Sequence, residues 1–318
     1  MDSIQVCVSC NAKALKILRK HENYKLYECR SCAMQFWQPF KQLGHSHYES
    51  IKKYAERNMD PLSHPLYPSQ KLFLKTLPRR GGRLLDIGCG TGRFLAEAKK
   101  CGYNVAGFDF DENAIKMARN FFGLENTFVS DVSAFLSKSV GQKFDVITMF
   151  EILEHLDNYT RVDSISNFLA DDGLFILSMP WRESWKVFLE QDLPPNHLSK
   201  WNEKSIKNFL GNRGLEVIKI KKLPVVFNRY MMRFNDWTKS YLSFSTTSKL
   251  EKIMKVRDKN GGQKISQEKV DLLKMLSIAK LYGLFFLPAL LLYVYLWSTG
   301  ERNRTGLYVV AKQKTKTA

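Results

Sequence analysis

Residues 84–93 are Leu84-Leu85-Asp86-Ile87-Gly88-Cys89-Gly90-Thr91-Gly92-Arg93. An apolar run followed by glycine at every second position predicts a strand, a tight turn and the start of a helix. Glycine lets the backbone turn sharply and approach a ligand, and a new helix offers unpaired N–H groups beside it. The same pattern also suits a strand–helix loop that binds nothing, so the rest of the chain has to decide.

The chain around this turn alternates apolar runs with helical patterns. Helix-like apolar spacing is found over residues 112–122, 158–169 and 202–212. Alternating strands and helices predict an α/β fold, with a doubly wound parallel sheet between two layers of helices. The predicted strands are Arg83–Ile87, Asn104–Asp109, Asn126–Ser130, Phe144–Met149, Leu174–Met179, Glu216–Lys222 and Leu307–Ala311.

Acidic residues stand at the ends of the first three predicted strands. Asp86 precedes the glycines, Asp109 ends the second strand 17 residues after Gly92, and Asp131 follows the third strand. An acid at the second position can accept hydrogen bonds from both hydroxyls of a ribose. These spacings favour a nucleoside-containing cofactor, and by themselves they also permit a nicotinamide cofactor.

The segment Asp86–Gly92 closely resembles the first motif of class I S-adenosylmethionine (SAM) methyltransferases. The resemblance covers residues 83–223, through Gly107–Asp109, Phe144–Ile147 and Asp172–Pro180, and it resumes at Leu307–Lys312. It implies a seven-stranded Rossmann-like sheet whose last strand is antiparallel. The cofactor-binding residues that it implies are Asp86, Gly88, Cys89, Gly90, Gly92, Asp109, Phe110, Asp131, Val132 and Phe150.

The resemblance implies that each of the three aspartates contacts a different part of the cofactor. Asp86 and the glycines frame the methionine part, Asp109 binds the ribose, and Asp131 with Val132 contacts the adenine. A degenerate domain that binds no cofactor is the alternative.

A polar segment, Glu151-Ile152-Leu153-Glu154-His155, follows the fourth predicted strand. If a helix begins there, Glu151, Glu154 and His155 share one face at positions i, i+3 and i+4. His155 then suits a general base, because imidazole titrates near neutral pH. The segment resembles one in ubiquinone-type O-methyltransferases, which implies that the same three side chains hold a divalent cation. The alternative is a structural role, in which Glu154 and His155 orient the cofactor loop.

His197 is the second candidate catalytic residue. It lies in Asn196-His197-Leu198, which resembles a His-Leu segment that follows the fifth strand in methyltransferases of glycan and lipid pathways. A lone histidine can equally be a structural hydrogen-bonding residue.

Cys7, Cys10, Cys29 and Cys32 form two Cys-x2-Cys pairs. Two such pairs predict a closed, tetrahedral and structural zinc site of the zinc-ribbon type, since four thiolates leave no open position for chemistry. This metal-ligand spacing indicates a reducing compartment rather than disulfides. The first residues lack a basic and apolar leader, so we expect a cytosolic protein.

Charge and hydropathy single out the last third of the chain. The protein has 318 residues and a formal charge of +18; residues 219–318 contain 20 Lys plus Arg and 6 Asp plus Glu. Residues 281–297 carry no charge and include Pro288, which we expect to interrupt a helix. An apolar run with basic flanks favours a hairpin that dips into one leaflet of an anionic membrane. A buried helix or a dimer interface is the alternative.

Together these patterns predict a zinc ribbon at 1–40, a linker or helical cap at 41–80, and a SAM methyltransferase domain at 81–318 with a helical insertion at 224–304. We expect it to methylate a hydroxyl of a small or lipid-linked sugar-type substrate at the cytoplasmic face of the membrane. A ribosomal RNA methyltransferase, in which the basic tail grips phosphates, is the first alternative. A SAM-binding adaptor without catalysis is the second.

Overall fold

The computed structural model describes residues 6–42, 61–62, 65–138, 141–182, 192–224, 283–295, 298 and 304–314. The chain divides into two compact units, Met1–Pro224 with Thr305–Ala318, and Val225–Arg304. Residues 43–60 and 63–64 of the predicted linker, and most of the predicted insertion, lie outside the described residues.

A seven-stranded sheet forms the centre of the first unit. Its strands are β4 (Gly82–Ile87), β5 (Tyr103–Asp109), β6 (Thr127–Val129), β7 (Phe144–Phe150), β8 (Leu169–Pro180), β10 (Leu215–Pro224) and β11 (Arg304–Gln313). The strand order is β10-β11-β8-β7-β4-β5-β6. The pairs from β6 to β8 are parallel, and β11 runs antiparallel to β8. The predicted fold, with its antiparallel last strand, is therefore confirmed.

Alternate residues of the central strands enter two separate cores. Leu84 and Val146 belong to one apolar cluster, whereas their neighbours Leu85 and Ile147 belong to the other. Successive strand residues point to opposite faces, so the two clusters cover both faces of the sheet. The helices are α1 (Pro68–Thr76), α2 (Arg93–Lys100), α3 (Glu112–Phe122), α4 (Val132–Lys138), α5 (Thr160–Asp163) and α6 (Glu203–Gly211).

The helix predicted over 158–169 is wrong. The chain forms only the short α5, a 3-10 turn at Ile165–Phe168, and then β8, which begins at Leu169 rather than Leu174. Val162, Ile165 and Phe168 are all buried. Their spacing of three residues suits a 3-10 turn better than an α-helix.

The cysteine pairs belong to a second, antiparallel sheet. Its strands are β1 (Leu15–His21), β2 (Tyr24–Cys29), β3 (Gln35–Gln38) and β9 (Ser199–Lys200), in that order. The first three strands come from the N-terminal residues, whereas β9 comes from the segment between β8 and α6. Both sheets lie in the first compact unit.

Of the second unit the structure describes residues 283–295 and 298, which are helical, and residue 304, where β11 begins. Pro288 does not interrupt this helix, contrary to our expectation. A proline inside a helix removes one backbone hydrogen bond and bends the helix without having to end it. Within the described parts of the chain, no helix is both long and apolar enough to cross a membrane.

Candidate functional site

The glycine turn joins β4 to α2 with three left-handed residues. Gly88, Gly90 and Gly92 have φ of 74°, 54° and 78°. A Cβ atom on Gly88 would lie 2.4 Å from Cδ1 of Ile152. The turn therefore needs glycine, and it lies directly against the segment that follows β7.

Asp86 lies at the base of this turn and is buried. Its Oδ1 atom accepts a hydrogen bond of 2.6 Å from the hydroxyl of Thr148 on β7. Burial raises the pKa of the Asp86 carboxyl to about 7; the Thr148 hydrogen bond opposes this rise and the charge of Asp109 adds to it. Asp86 is thus poised to change its charge near neutral pH.

Asp109 links the turn to the end of β5. Its carboxylate accepts hydrogen bonds from the backbone N–H of Gly90 at 2.9 Å and of Asp111 at 3.0 Å. The backbone carbonyl of Asp109 also accepts from the N–H of Ser130 at 2.9 Å. The strand ends that carry Asp86, Asp109 and Asp131 therefore meet at one edge, as parallel strands require.

The other predicted cofactor residues occupy different positions. Asp131 is exposed and accepts a hydrogen bond from the N–H of Ala134, so it caps α4, and Val132 beside it is buried. Cys89 is buried within the turn, and Phe110 follows Asp109 and is half-buried. The ring of Phe150 packs against Phe94, with ring centroids 5.1 Å apart, and is therefore part of the core.

The helix face predicted for Glu151, Glu154 and His155 does not form. Glu151 has a φ of 56° and is followed by a 3-10 turn, Leu153–His155. Its carboxylate accepts a hydrogen bond of 2.7 Å from the hydroxyl of Ser178 on β8. Among the described residues, the group of possible ligand atoms that contains Glu154 and His155 does not include Glu151, and the cation site predicted for the three side chains stays a prediction.

His197 joins Glu154 and His155 instead. The rings of His155 and His197 lie edge to face with centroids 4.7 Å apart, and Nε2 of His155 is 4.0 Å from Oε1 of Glu154. The three side chains offer ligand atoms within 4.8 Å of one another, a spacing that can hold a metal ion. The arrangement can equally transfer a proton.

Burial sets the protonation of this group. It lowers the pKa of His155 to about 4, so the ring is neutral at neutral pH. Nδ1 of His155 lies 2.7 Å from the carbonyl oxygen of Asn196, so Nδ1 carries the proton and Nε2 is the basic nitrogen. Burial, with the charge of Glu151, raises the pKa of Glu154 well above its usual range. Among the residues that the structure describes, no group hydrogen bonds to either carboxyl oxygen of Glu154.

Sequence reasoning missed the residues that orient this site. The hydroxyls of Thr148 and Ser178 donate hydrogen bonds to Asp86 and Glu151, respectively. The carbonyl of Asn196 accepts a hydrogen bond from His155. Nδ1 of His197 lies 3.5 Å from Oδ1 of Asp192. Thr148 and Asp192 lie outside the motifs, whereas Ser178 and Asn196 lie within motifs that do not indicate these contacts. A backbone carbonyl leaves no mark in a sequence.

The four cysteines meet the geometry of a tetrahedral zinc ion. The sulfur atoms of Cys7 and Cys32, and those of Cys10 and Cys29, are 3.7 Å apart, and all four sulfurs lie within 4.8 Å of one another. Zn–S bonds of ~2.3 Å at tetrahedral angles place sulfurs about 3.8 Å apart. The residues therefore fit zinc, which would fix the two loops to each other.

A glycine turn at the head of a parallel sheet, with an acid at the end of the next strand, defines a nucleoside-cofactor-binding enzyme of the Rossmann-like class. A family described as a methyltransferase domain matches residues 61–220, half of the chain. The protein belongs to this family and is a SAM-dependent methyltransferase.

Curated relatives support this assignment. A ubiquinone biosynthesis O-methyltransferase of Glaesserella parasuis is 29% identical over 51% of this chain and 74% of its own length. That of Bordetella parapertussis is 30% identical over 49% of this chain and 69% of its own length. A chain from the complex of the Haloferax volcanii Trm112 methyltransferase activator with a methyltransferase is 13% identical, with a TM-score of 0.51 over 85% of this chain and 98% of that one. This last likeness shows the fold alone.

SAM binding should weaken as the pH falls below about 7. In the predicted site, the methionine part of SAM lies beside Asp86, and its ammonium group would favour the ionised carboxylate. Below the pKa of Asp86 in the free protein, a proton must leave this carboxyl group when SAM binds. SAM affinity should therefore fall by up to about tenfold for each unit by which the pH is lowered. Calorimetry between about pH 5 and pH 8 measures this slope.

Two variants serve as controls for this slope. Asp86→Asn should bind SAM weakly at every pH, and its SAM affinity should no longer depend on pH. Thr148→Val removes the hydrogen bond that favours the ionised form of Asp86. The pKa of Asp86 should rise, so SAM affinity should begin to fall at a higher pH than in the unaltered protein. A slope that persists in Asp86→Asn would assign the titration to another group.

Proposed function

We propose that this methyltransferase methylates a hydroxyl group of a small or lipid-linked sugar-type substrate at the cytoplasmic face of a membrane. The observation that carries the proposal is the cluster of Glu154, His155 and His197 beside the glycine turn. The relatives named as ubiquinone biosynthesis O-methyltransferases support oxygen as the acceptor atom.

SAM, when bound, supplies an electrophilic methyl group. A hydroxyl oxygen becomes a competent nucleophile if its proton leaves as the new bond forms. His155 can accept this proton at Nε2, because its Nδ1–H is directed to the carbonyl of Asn196; burial lowers its pKa to about 4, which makes it a weak base in the free protein. The carboxyl group of Glu154 lies 4.0 Å from Nε2, and because burial raises its pKa well above the usual range it would face the resulting imidazolium as a neutral hydrogen-bond acceptor.

His197 is placed to hold His155 in position. Its ring packs edge to face on that of His155, and Asp192 fixes its other side. In this proposal His155 transfers the proton, and His197 restricts the rotation of the His155 ring and lines the substrate side of the cluster.

Substitution of the two histidines should separate catalysis from cofactor binding. His155→Gln should lower kcat by about 10²–10⁴-fold, the usual contribution of a general base. His197→Asn should lower it by about tenfold or more, and both variants should bind SAM with an unchanged Kd. Transfer of a labelled methyl group and calorimetry measure the two quantities.

Lys100→Gln is the control, since the Lys100 side chain is exposed at the C-terminal end of α2 and its loss should leave both quantities unchanged. Full activity of His155→Gln would show that His155 is not the general base. Two metal ions per chain, one of them lost in His155→Gln, would assign the cluster to a cation instead.

The proposed membrane contact is supported by the helix at 283–295. Leu284, Leu287, Leu291 and Val294 are 52–63% exposed and follow one another at spacings of three and four residues, so they form one apolar face. Phe285 and Ala289, four residues apart, are buried. A helix of this length spans about 20 Å and can lie in the plane of a membrane surface. The net charge of +14 over residues 219–318 complements anionic headgroups.

Replacing Leu284, Leu287 and Leu291 with Ser should release the protein from anionic vesicles. These side chains are exposed, so their loss removes apolar contact with lipid and leaves the fold and SAM binding intact. Sedimentation with vesicles that contain about 30% anionic lipid measures the bound fraction. High salt alone should release the unaltered protein only in part, since apolar burial persists when charges are screened.

Phe121→Ser is the matched control, because Phe121 is 51% exposed on α3 in the other unit. If the triple variant sediments as the unaltered protein does, the helix face has another partner.

The acceptor is identified by incubating lipid extracts, soluble glycan precursors and RNA separately with methyl-labelled SAM. The proposal expects label in the lipid or glycan fraction, and none of it in His155→Gln. Label in RNA alone would establish the first alternative. SAM binding without any transfer would favour the adaptor.

A further inference from the structure

The small sheet is completed by a strand from far along the chain. β9 pairs antiparallel with β3, with Phe36 opposite Ser199 and Gln35 opposite Lys200. The pairing continues one residue further, since the N–H of Trp37 donates to the carbonyl of Leu198 at 2.8 Å. His197 is the next residue of the same segment. The edge of the cysteine-containing sheet thus reaches the residue beside a candidate catalytic histidine.

Leu198 is held from two sides. Its carbonyl accepts from Trp37, while its N–H donates to the carbonyl of Glu154 at 2.8 Å. One residue therefore connects the N-terminal sheet to the 3-10 turn that carries Glu154 and His155. The two loops of the histidine cluster are fixed relative to each other at this point, and the rings of His155 and His197 meet beside it.

Polar contacts attach the cysteine loops themselves to the same region. Nδ2 of Asn208 on α6 donates to the carbonyl of Cys32 at 3.3 Å, and Arg182 donates to the carbonyl of Ala33 and pairs with Glu28 at 3.3 Å. Cys7, Cys29 and Cys32 are buried in one apolar cluster with Leu153 and Trp201. The contact with the rest of the unit therefore has both an apolar and a polar part.

The loop that carries Cys29 and Cys32 leads directly into β3. The N–H of Cys29 donates to the carbonyl of Met34 at 2.8 Å, and β3 begins at Gln35. An N-terminal segment of about 40 residues is too short to build a stable core alone, and a bound metal supplies the missing order in such segments. The position of β3 therefore depends on the two cysteine pairs being joined.

We propose that the cysteine module is a positioning device for the active site: zinc on its four thiolates fixes β3, β3 fixes Leu198, and Leu198 holds His197 against His155. Its catalytic consequence rests on the proposed function, whereas the positional claim does not. SAM binds at the glycine turn, which the small sheet does not form. Loss of the metal should therefore uncouple methyl transfer from SAM binding.

Two variants test this coupling in the full-length protein. Cys29→Ser removes a zinc ligand. Arg182→Ala with Asn208→Ala removes the polar attachment of the cysteine loops and leaves all four ligands in place. Arg30→Gln is the control, because Arg30 is exposed on the same loop. Zinc content, SAM affinity, hydrogen exchange at the amides of Leu198 and Trp37, and the rate of methyl transfer at saturating SAM are measured for each.

Cys29→Ser should lose zinc, and its Leu198 and Trp37 amides should exchange at least about a hundredfold faster. Methyl transfer should fall by about a hundredfold, the cost of displacing a catalytic group by about 1 Å. The SAM Kd should stay within about threefold. The double variant should keep its zinc and show the same faster exchange and slower transfer.

Zinc loss with unchanged exchange at Leu198 would overturn the proposal. If Cys29→Ser does not fold, the double variant decides, and unchanged exchange there overturns the proposal as well. Faster exchange with undiminished transfer keeps the positioning role and refutes the catalytic role of the histidine cluster. The two failures are thereby distinguished.

Discussion

Carboxyl groups buried at the carboxyl edge of the parallel strands organise the site, and three of them differ in how the surrounding groups compensate their burial. Asp86, Asp109 and Glu154 are between 1% and 8% exposed. An uncompensated buried charge costs several kcal/mol, so each group needs a partner or a proton. Asp86 accepts a hydrogen bond from the Thr148 hydroxyl, and Asp109 accepts hydrogen bonds from two backbone N–H groups. For Glu154 the described residues supply no hydrogen bond, and its raised pKa favours the protonated form.

The chain accepts local strain to bring Glu154 to this edge. Glu151 adopts a positive φ, which costs a residue other than glycine about 1–3 kcal/mol. Two hydrogen bonds to Ser178 offset this cost: the Glu151 N–H donates to its carbonyl, and its hydroxyl donates to the Glu151 carboxylate. The strained residue turns the chain out of β7 and directs the 3-10 turn beneath the glycine loop. Such strain persists only where the surrounding structure holds it, and here the paired strands β7 and β8 do so.

The sequence allows the sheet and the cofactor turn to be predicted because their signals are local. Apolar spacing predicts α3 at its observed bounds, and in the structure Asp111 caps its start and Gly123 ends it. β9 could not be predicted, because two residues carry no periodic pattern and their partner lies more than 160 positions away. The replacement of Glu151 by His197 in the cluster has the same origin. It depends on the tertiary contact of two loops, whereas spacing along the chain favours Glu151.

The family match covers the strands and the glycine turn of the predicted cofactor site. It does not cover two further parts of the chain. It begins at residue 61 and ends at residue 220, so the four N-terminal cysteines and residues 225–304 lie outside it. The additions are related differently to the catalytic unit. The cysteine module shares its core and hydrogen bonds to the loop that carries His197, whereas residues 225–304 form a unit of their own. A module built into the core can control the geometry of the reaction. A separate unit with an exposed apolar face is suited to choose the surface at which that reaction takes place. Specificity in this protein would then arise from two parts of the chain that the shared methyltransferase fold does not contain.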